Sequence, residues 1–301
     1  NGYFHQNIDA DGRQQHIYPE HDFSRLPIRP AAGHTGRAVM VSIPFGDREL
    51  HLQVWIALVG RVPLLLLDTD VPQNDSADRP ITSMLYTPGR EMRLAQELVL
   101  GIGGARALEA LGIEPAIWHM NEGHSAFLQF ERLRRLVLER GASFDSAVAE
   151  LRRTSVFTTH TPVPAGNEVF DAPLIRDYFD PRCAELGIAP EQWLALGSND
   201  HGEPNQPFNM TALAIRTSSR INGVSAVNAR VSARMWQHLI PANGPAGEQL
   251  RAITNGVHHP SWLGLELQEL FTSWSGERWP QVVTSAEGRE AILAAPDAPR
   301  W

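Results

Sequence analysis

The sequence predicts an α/β fold, and three observations carry that expectation. Residues 37 to 59 contain two runs rich in Val, Ile and Trp around a Pro-Phe-Gly-Asp turn, the pattern of a β-hairpin. Val62 to Leu67 is a short aliphatic run bounded by polar residues, which reads as a buried strand. From about Arg90 onward, helical periodicity alternates with short apolar strands, the signature of βα units and a mostly parallel sheet.

Three βα units share a grammar. IEPAIWHM-NEGH-SAFLQFERL, SVFTTHTP-VPAGN-EVF and SRINGVS-AVNARVSARMW each run from an apolar strand into polar loop residues, and RAITNGVHHP ends the same way. Ligands of open parallel sheets collect beyond the carboxyl ends of the strands, so these four turns are expected to rim one cleft. Polar strand ends also serve simply to start helices, which accounts equally for any single turn.

The composition excludes several classes. With 301 residues, 43% hydrophobic and 20% charged, the chain can bury a sizeable core as one large or two smaller domains. Its longest aliphatic run is far short of the roughly 20 residues that cross a bilayer, so no membrane partner is expected. A net charge of -8 argues against nucleic acid and suits a neutral polymer. Arg132, Arg134 and Arg135 are spaced as the wet side of an amphipathic helix and are left out of the site. Cys183 is the single cysteine, which precludes an internal disulfide and makes a reducing, cytoplasmic compartment the simpler expectation. The opening Asn1-Gly2-Tyr3-Phe4 carries neither a signal pattern nor an initiator Met, and the tail AEGREAILAAPDAPRW lacks a clear ending, so both boundaries are expected to be arbitrary.

Other motifs fail on their own chemistry. In GIGGARALEALG the third glycine of a dinucleotide fingerprint would fall on Arg106, and the segment follows helical periodicity, so it reads as a break between helices. Neither His119 with His124 nor His258 with His259 has the spacing of a helical zinc motif, and no metal is assigned. No serine lies in a nucleophile elbow, and Cys183 falls in a helical stretch. Three groups remain: Asn121-Glu122-Gly123-His124, Thr159-His160-Thr161-Pro162 and Thr254-Asn255-Gly256. Such amides, carboxylates and imidazoles can pair with vicinal hydroxyls of a sugar, and the aromatic opening GYFHQ could stack on a pyranose. His160 by itself reads equally as a structural loop residue.

These residues resemble the α-glucan phosphorylases, the family of glycogen, starch and maltodextrin phosphorylases, and most closely their short prokaryotic branch. The likeness runs through NGYFHQNIDADGRQQHIYPEHDFSRLPIRP, VGRVPLLLLDTDVPQND, REMRLAQELVLGIGG, WHMNEGHSAF, FTTHTPVPAGNEVF, INGVS and ITNGVHHPSWL in family order. The resemblance implies a GT-B architecture of two Rossmann-like domains, of which this chain would be an incomplete piece mainly from the N-terminal half. Residues 1 to 250 would form the first domain, with its β-hairpin, and 251 to 301 would begin the interdomain or C-terminal region; the second domain would be largely missing. It implies phosphorolysis of terminal α-1,4-linked glucose to α-D-glucose 1-phosphate, with α-1,4-glucan and inorganic phosphate as partners and a homodimer as a common assembly. It also implies pyridoxal 5′-phosphate on a lysine of the C-terminal domain, and this chain holds no lysine to assign to it.

By motif, His160 matches the histidine whose carbonyl and side chain address the transferred glucose, and Asn255 an asparagine bonded to the same glucose. Glu122 and His124 correspond to residues on the acceptor-glucan side, where many relatives have Asp at the first position; Asn121 and Thr161 complete the substrate-binding set. Tyr86 to Glu91 stands in place of a longer gating loop, so reduced allostery is expected. One departure is local: after NGVS the family commonly has Leu-His or Ile-His, whereas this chain has Val227-Asn228, which leaves an imidazole role there unfilled. The glycine-rich phosphate-side loop and the basic phosphate-binding residues are absent as well, so the piece is expected to be inactive alone, with apolar surface exposed over residues 262 to 301. Two other readings stay open, a non-catalytic glucan-binding module and a nucleotide-sugar-dependent GT-B glycosyltransferase.

Overall fold

The computed structural model describes residues 5–19, 21–85, 88–163, 166–199, 206–240, 250–283 and 285–293. They fall into two compact units, one ending at Ile253 and one beginning at Thr254, and each is taken by itself.

The first unit opens with an exposed hairpin, β1 (His5–Ile8) and β2 (Gln14–Ile17), followed by β3 (Ile28–Pro30), β4 (Met40–Phe45), β5 (Arg48–Val59) and β6 (Val62–Asp68). The long β5 organises this antiparallel sheet, with β3 and β4 along one edge and β6 along the other. Gly46 and Gly60, each at φ 61°, begin the two-residue turns on either side of β5, a position where a primed hairpin turn takes glycine at no steric cost. Leu50, Leu52 and Val54 are fully buried at every second position, as the pleat requires of a strand with one covered face. The expected hairpin is therefore present.

Helices α1 (Arg90–Leu98) and α2 (Gly104–Ala110) follow, then β7 (Trp118–Asn121), α3 (Leu128–Arg140), α4 (Phe144–Thr154), β8 (Ser155–Thr159) and the short β9 (Val169–Phe170). After these come α5 (Ala172–Glu185), α6 (Pro190–Gly197), β10 (Phe208–Asn209), α7 (Met210–Arg216), β11 (Arg220–Gly223), α8 (Ala226–Met235) and β12 (Leu250–Ala252). The second sheet is parallel in the order β12-β11-β8-β7. Its register sets Asn121 beside Thr158 and Gly223 beside both Thr159 and Ala252, so the carboxyl ends of all four strands lie along one edge. Mixed α/β architecture with a parallel sheet and helices is thus the observed class. Phe127, Phe130, Phe179 and Trp193 form a fully buried aromatic cluster with ring centroids 4.8–5.3 Å apart, a geometry that adds to plain area burial.

Three expectations need correction. β6 is a strand, but it is not buried: Val62 is 60% exposed and Leu64 48%, because β6 forms the outer edge of the antiparallel sheet. The GIGG segment does not break a helix; Val99–Gly103 is a π-helical turn with helical backbone on both sides, carrying α1 into α2. A β-carbon at Gly101 would come within 2.7 Å of the Leu128 backbone nitrogen, and one at Gly103 within 2.5 Å of a Leu52 methyl, so these glycines permit close packing on α3 and on β5. Arg132 is not on the wet side of α3 but is 9% exposed. Its guanidinium donates to Gln129, Ser155 and Thr154 and stacks on Trp118 at 4.9 Å, and burial lowers its pKa to about 10. The run of arginines reads as uniform in sequence, yet a helix wedged between a sheet and another helix has no uniformly wet side.

Cys183 is buried in α5, where desolvation pushes its thiol up to about 12. Gly2, Tyr3 and Phe4 of the aromatic opening lie outside the described residues, as do Tyr86 and Thr87 of the short gating segment, while His5 and Gln6 stand on exposed β1. The second unit contains α9 (His259–Trp262), α10 (Leu265–Ser275), α11 (Trp279–Val282) and α12 (Ala286–Leu293), gathered around Phe271 and the buried Trp279, 5.5 Å apart. Trp262 is 81% and Leu265 72% exposed, the apolar surface expected of this region. Among the described residues no helix is long and apolar enough to cross a membrane.

The packing at the π turn has a measurable consequence. Gly101→Ala is expected to destabilise the chain by about 1–3 kcal/mol, the usual cost of overpacking. Gly104→Ala, with nothing within 4 Å of the added methyl, should be neutral or stabilising by up to about 1 kcal/mol. Urea denaturation of both variants checks the pair, and equal midpoints would count against the close approach.

Candidate functional site

The turn after β7 begins with strain. Glu122 has φ 63°, the single positive φ at a non-glycine among the described residues, in a region that costs a side chain about 1–3 kcal/mol. Its own N–H donates to the Thr158 carbonyl at 2.9 Å, which extends the β7–β8 pairing by one residue. Its carboxylate Oε1 accepts from the backbone N–H groups of His160 at 2.6 Å and Thr161 at 2.7 Å. Two successive amides converging on one anionic oxygen are short, charge-assisted bonds, and together they outweigh the strain. Gly123, which follows, is buried where a β-carbon would come within 3.0–3.1 Å of Met210 and Thr211, so this turn is pressed against the start of α7.

The turn after β11 reaches the same peptide from the other side. Asn228, 8% exposed in the first turn of α8, donates its Nδ2 hydrogen to the His160 carbonyl at 2.9 Å and accepts from the Val224 N–H at 3.2 Å. The His160–Thr161 peptide unit therefore has its carbonyl held by Asn228 and its N–H by Glu122. The Nε2 of His160 is buried and has no hydrogen-bond partner among the described residues. Buried polar atoms are rarely left unpaired, which sets this nitrogen apart from the satisfied groups around it. Across the sheet, Thr158 donates to Asn222 at 2.8 Å and lies 2.6 Å from His119 Nε2; with its one hydrogen committed, Thr158 accepts there and His119 carries hydrogen on Nε2.

His124 turns elsewhere. Its Nδ1 is 2.9 Å from Oε1 of Glu97, a residue of α1 only 2% exposed, and Arg93 bridges Glu97 and Glu168 at 3.4 and 3.2 Å. Burial raises the pKa of Glu97 despite His124, and the hydrogen bond to Glu97 raises that of His124. The second Glu97 oxygen is buried without a partner among the described residues. Glu97 and His124 form part of the polar wall of a 610 Å³ cavity whose other wall is aliphatic, with Leu65, Leu66, Leu100 and Ile117.

Of the residues singled out in the sequence, Glu122, His160 and Thr161 are brought together, but one oxygen of the Glu122 carboxylate is spent on the backbone N–H groups of the other two. Asn121 is exposed at the end of β7, and His124 is joined to Glu97. Asn255 is exposed in the second unit. Asn228 was visible as a departure, yet its role was not, because a hydrogen bond to a carbonyl 68 residues away leaves no local pattern. Glu97 carried a faint signal, a carboxylate inside the apolar stripe LAQELVL. Among the described residues no cluster of His, Cys, Asp and Glu could hold a metal ion.

Amides, imidazoles and a carboxylate are gathered at the carboxyl ends of adjacent parallel strands in a mixed α/β unit. Comparison with known proteins narrows the class. Maltodextrin phosphorylase of Thermococcus litoralis is 41% identical over 304 aligned residues, covering 100% of this chain and 35% of the relative. Glycogen phosphorylase of Mycobacterium tuberculosis is 40% identical over 287 residues, covering 91% of this chain and 33% of the relative. Glycogen phosphorylase of Aquifex aeolicus is 31% identical, covering 100% of this chain and 43% of the relative. No family model matches the chain. The chain belongs to the α-glucan phosphorylase family, of whose curated members matched here it spans 33–43% of the length.

The Glu97–His124 pair fixes a pH dependence. Both groups bind a proton more readily folded than unfolded, so the stability they contribute is present at low pH and is lost as the pH rises through their raised folded values. His124→Gln retains a donor to Glu97 but does not titrate. Urea midpoints are therefore expected to fall more steeply above pH 6.5, the ordinary value for His, in the original chain than in the variant; parallel profiles would rule the linkage out.

Proposed function

We propose that this chain forms the sugar-facing part of an α-glucan phosphorylase, which phosphorolyses terminal α-1,4-linked glucose to α-D-glucose 1-phosphate. The observation that carries the reading is the His160–Thr161 peptide, clamped by Glu122 and Asn228 at the end of a parallel strand while the His160 Nε2 stays unpaired. In this reading the ring nitrogen bonds a hydroxyl of the terminal glucose. The carbonyl has one lone pair on Asn228 and turns the other toward the positive charge that develops at the anomeric carbon. A dipole fixed before reaction needs no reorganisation in the transition state. Asn255, and the acceptor-side contacts assigned to Asn121, Glu122, Thr161 and His124, belong to the same proposal, with Glu122 and Thr161 acting chiefly by holding His160. So do the GT-B architecture, the division at 250/251 and a homodimer.

Pyridoxal 5′-phosphate, which the family resemblance implies, does not fit the residues present. Its aldehyde condenses with a lysine amine, and all 26 Lys-plus-Arg positions of this chain are arginine, whose guanidinium stays protonated. The role of this chain is binding and orientation of the glucan.

The test uses the polypeptide expressed from the complete reading frame around this chain, supplied with maltodextrin and inorganic phosphate. Phosphate-dependent release of glucose 1-phosphate is expected, with kcat/KM lowered on the order of 10²- to 10³-fold by His160→Ala, the scale of losing a preorganised polar group. Sugar transfer from a nucleotide sugar in place of phosphorolysis would sink the proposal.

A further inference from the structure

Position 228 does two separable things. As the third residue of α8 it caps the helix entrance: its Oδ1 accepts the Val224 N–H at 3.2 Å while its own N–H bonds the Ser225 hydroxyl at 3.1 Å. Gly223 makes room for this, since a β-carbon there would meet Asn228 Oδ1 at 2.5 Å and the Ala229 backbone at 2.8 Å. The other half of the carboxamide faces away from the helix and donates to the His160 carbonyl at 2.9 Å. The two partners fix which end of the amide is which: an N–H needs the oxygen, and a carbonyl needs the nitrogen.

We infer that Asn228 is a positioning residue of the site, which sets the direction of the His160 carbonyl by holding one edge of the His160–Thr161 peptide against Glu122 on the other. The inference rests on the reading of His160 as the residue that addresses the transferred sugar. It also gives the local departure from the family pattern a chemical content. The side chain at 228 must present a hydrogen-bond donor to this carbonyl, which a carboxamide and an imidazole N–H both do. With that donor gone, the peptide is anchored only through its N–H, and the carbonyl can rotate away from the anomeric centre while the sugar's hydroxyl contacts persist.

The separating variant is Asn228→Asp. It keeps the oxygen that caps Val224 and adds a negative charge at a helix N-terminus, where charge is favourable, but it sets a carboxylate against the His160 carbonyl. In the complete enzyme, Asn228→Asp is expected to lower kcat for phosphorolysis at least about tenfold, as loss of about 1.4 kcal/mol implies, with KM for maltodextrin within about twofold and the melting temperature maintained. Asn228→His should recover most of kcat. Unchanged kcat in Asn228→Asp, or a loss that follows melting temperature and is not recovered by Asn228→His, would overturn the inference.

A second measurement reads the contact without catalysis. In the 301-residue chain labelled with ¹³C′-His and ¹⁵N-Thr, the His34–Thr35 and His160–Thr161 pairs give separate amide signals. Asn228→Asp should shift one of them and leave the other in place, with return in Asn228→His; two unmoved signals would overturn the inference. Should the unmodified enzyme release no glucose 1-phosphate, the phosphorylase proposal fails and the amide signals still decide whether Asn228 holds the peptide.

Discussion

The Glu122 carboxylate, accepting two successive backbone amides at 2.6 and 2.7 Å, is the interaction around which the described site is arranged. It compensates a backbone conformation that no other described non-glycine residue adopts, and it joins the turn after β7 to the turn after β8 where the β ladder has ended. Because Gly123 is pressed against the start of α7, Glu122 has little freedom to relax by moving away. Neighbouring parts of the fold thus stabilise a strained residue, which in turn orients His160. Such support from residues that do not themselves react is what gives a polar site its precision.

A second polar system runs beside the first without merging into it. Glu168, Arg93, Glu97 and His124 link the segment before β9, helix α1 and the turn after β7 through buried or half-buried charges. One carboxylate serves backbone amides and the other an imidazole, so Glu122 and Glu97, close in space to consecutive parts of the same turn, have different chemistry. The buried aromatic cluster and the glycine-mediated contact of the π turn with the start of α3 are close-packed parts of the same core.

The inventory of side chains limits what this chain can contribute to catalysis. Its cations are arginines, its cysteine is buried as the thiol, and the one buried arginine described on α3 is satisfied by neutral oxygens and an indole face. What the described turns offer is fixed geometry, oriented peptide dipoles and the Glu and His side chains already named.

The sequence by itself determined the α/β class, the hairpin at Gly46, the alternation of parallel strands with helices and the position of the polar turns. These follow from local periodicity and turn chemistry, which a few neighbouring residues specify. Ordered motifs identified the family for the same reason: each is contiguous. Only the tertiary structure decided that Glu122 faces backbone amides, that His124 pairs with Glu97, that Arg132 is buried and that Asn228 holds His160. Each of these depends on which strand ends lie side by side and on how far apart they are, and partners separated by 22 to 68 residues leave no periodic trace in the chain.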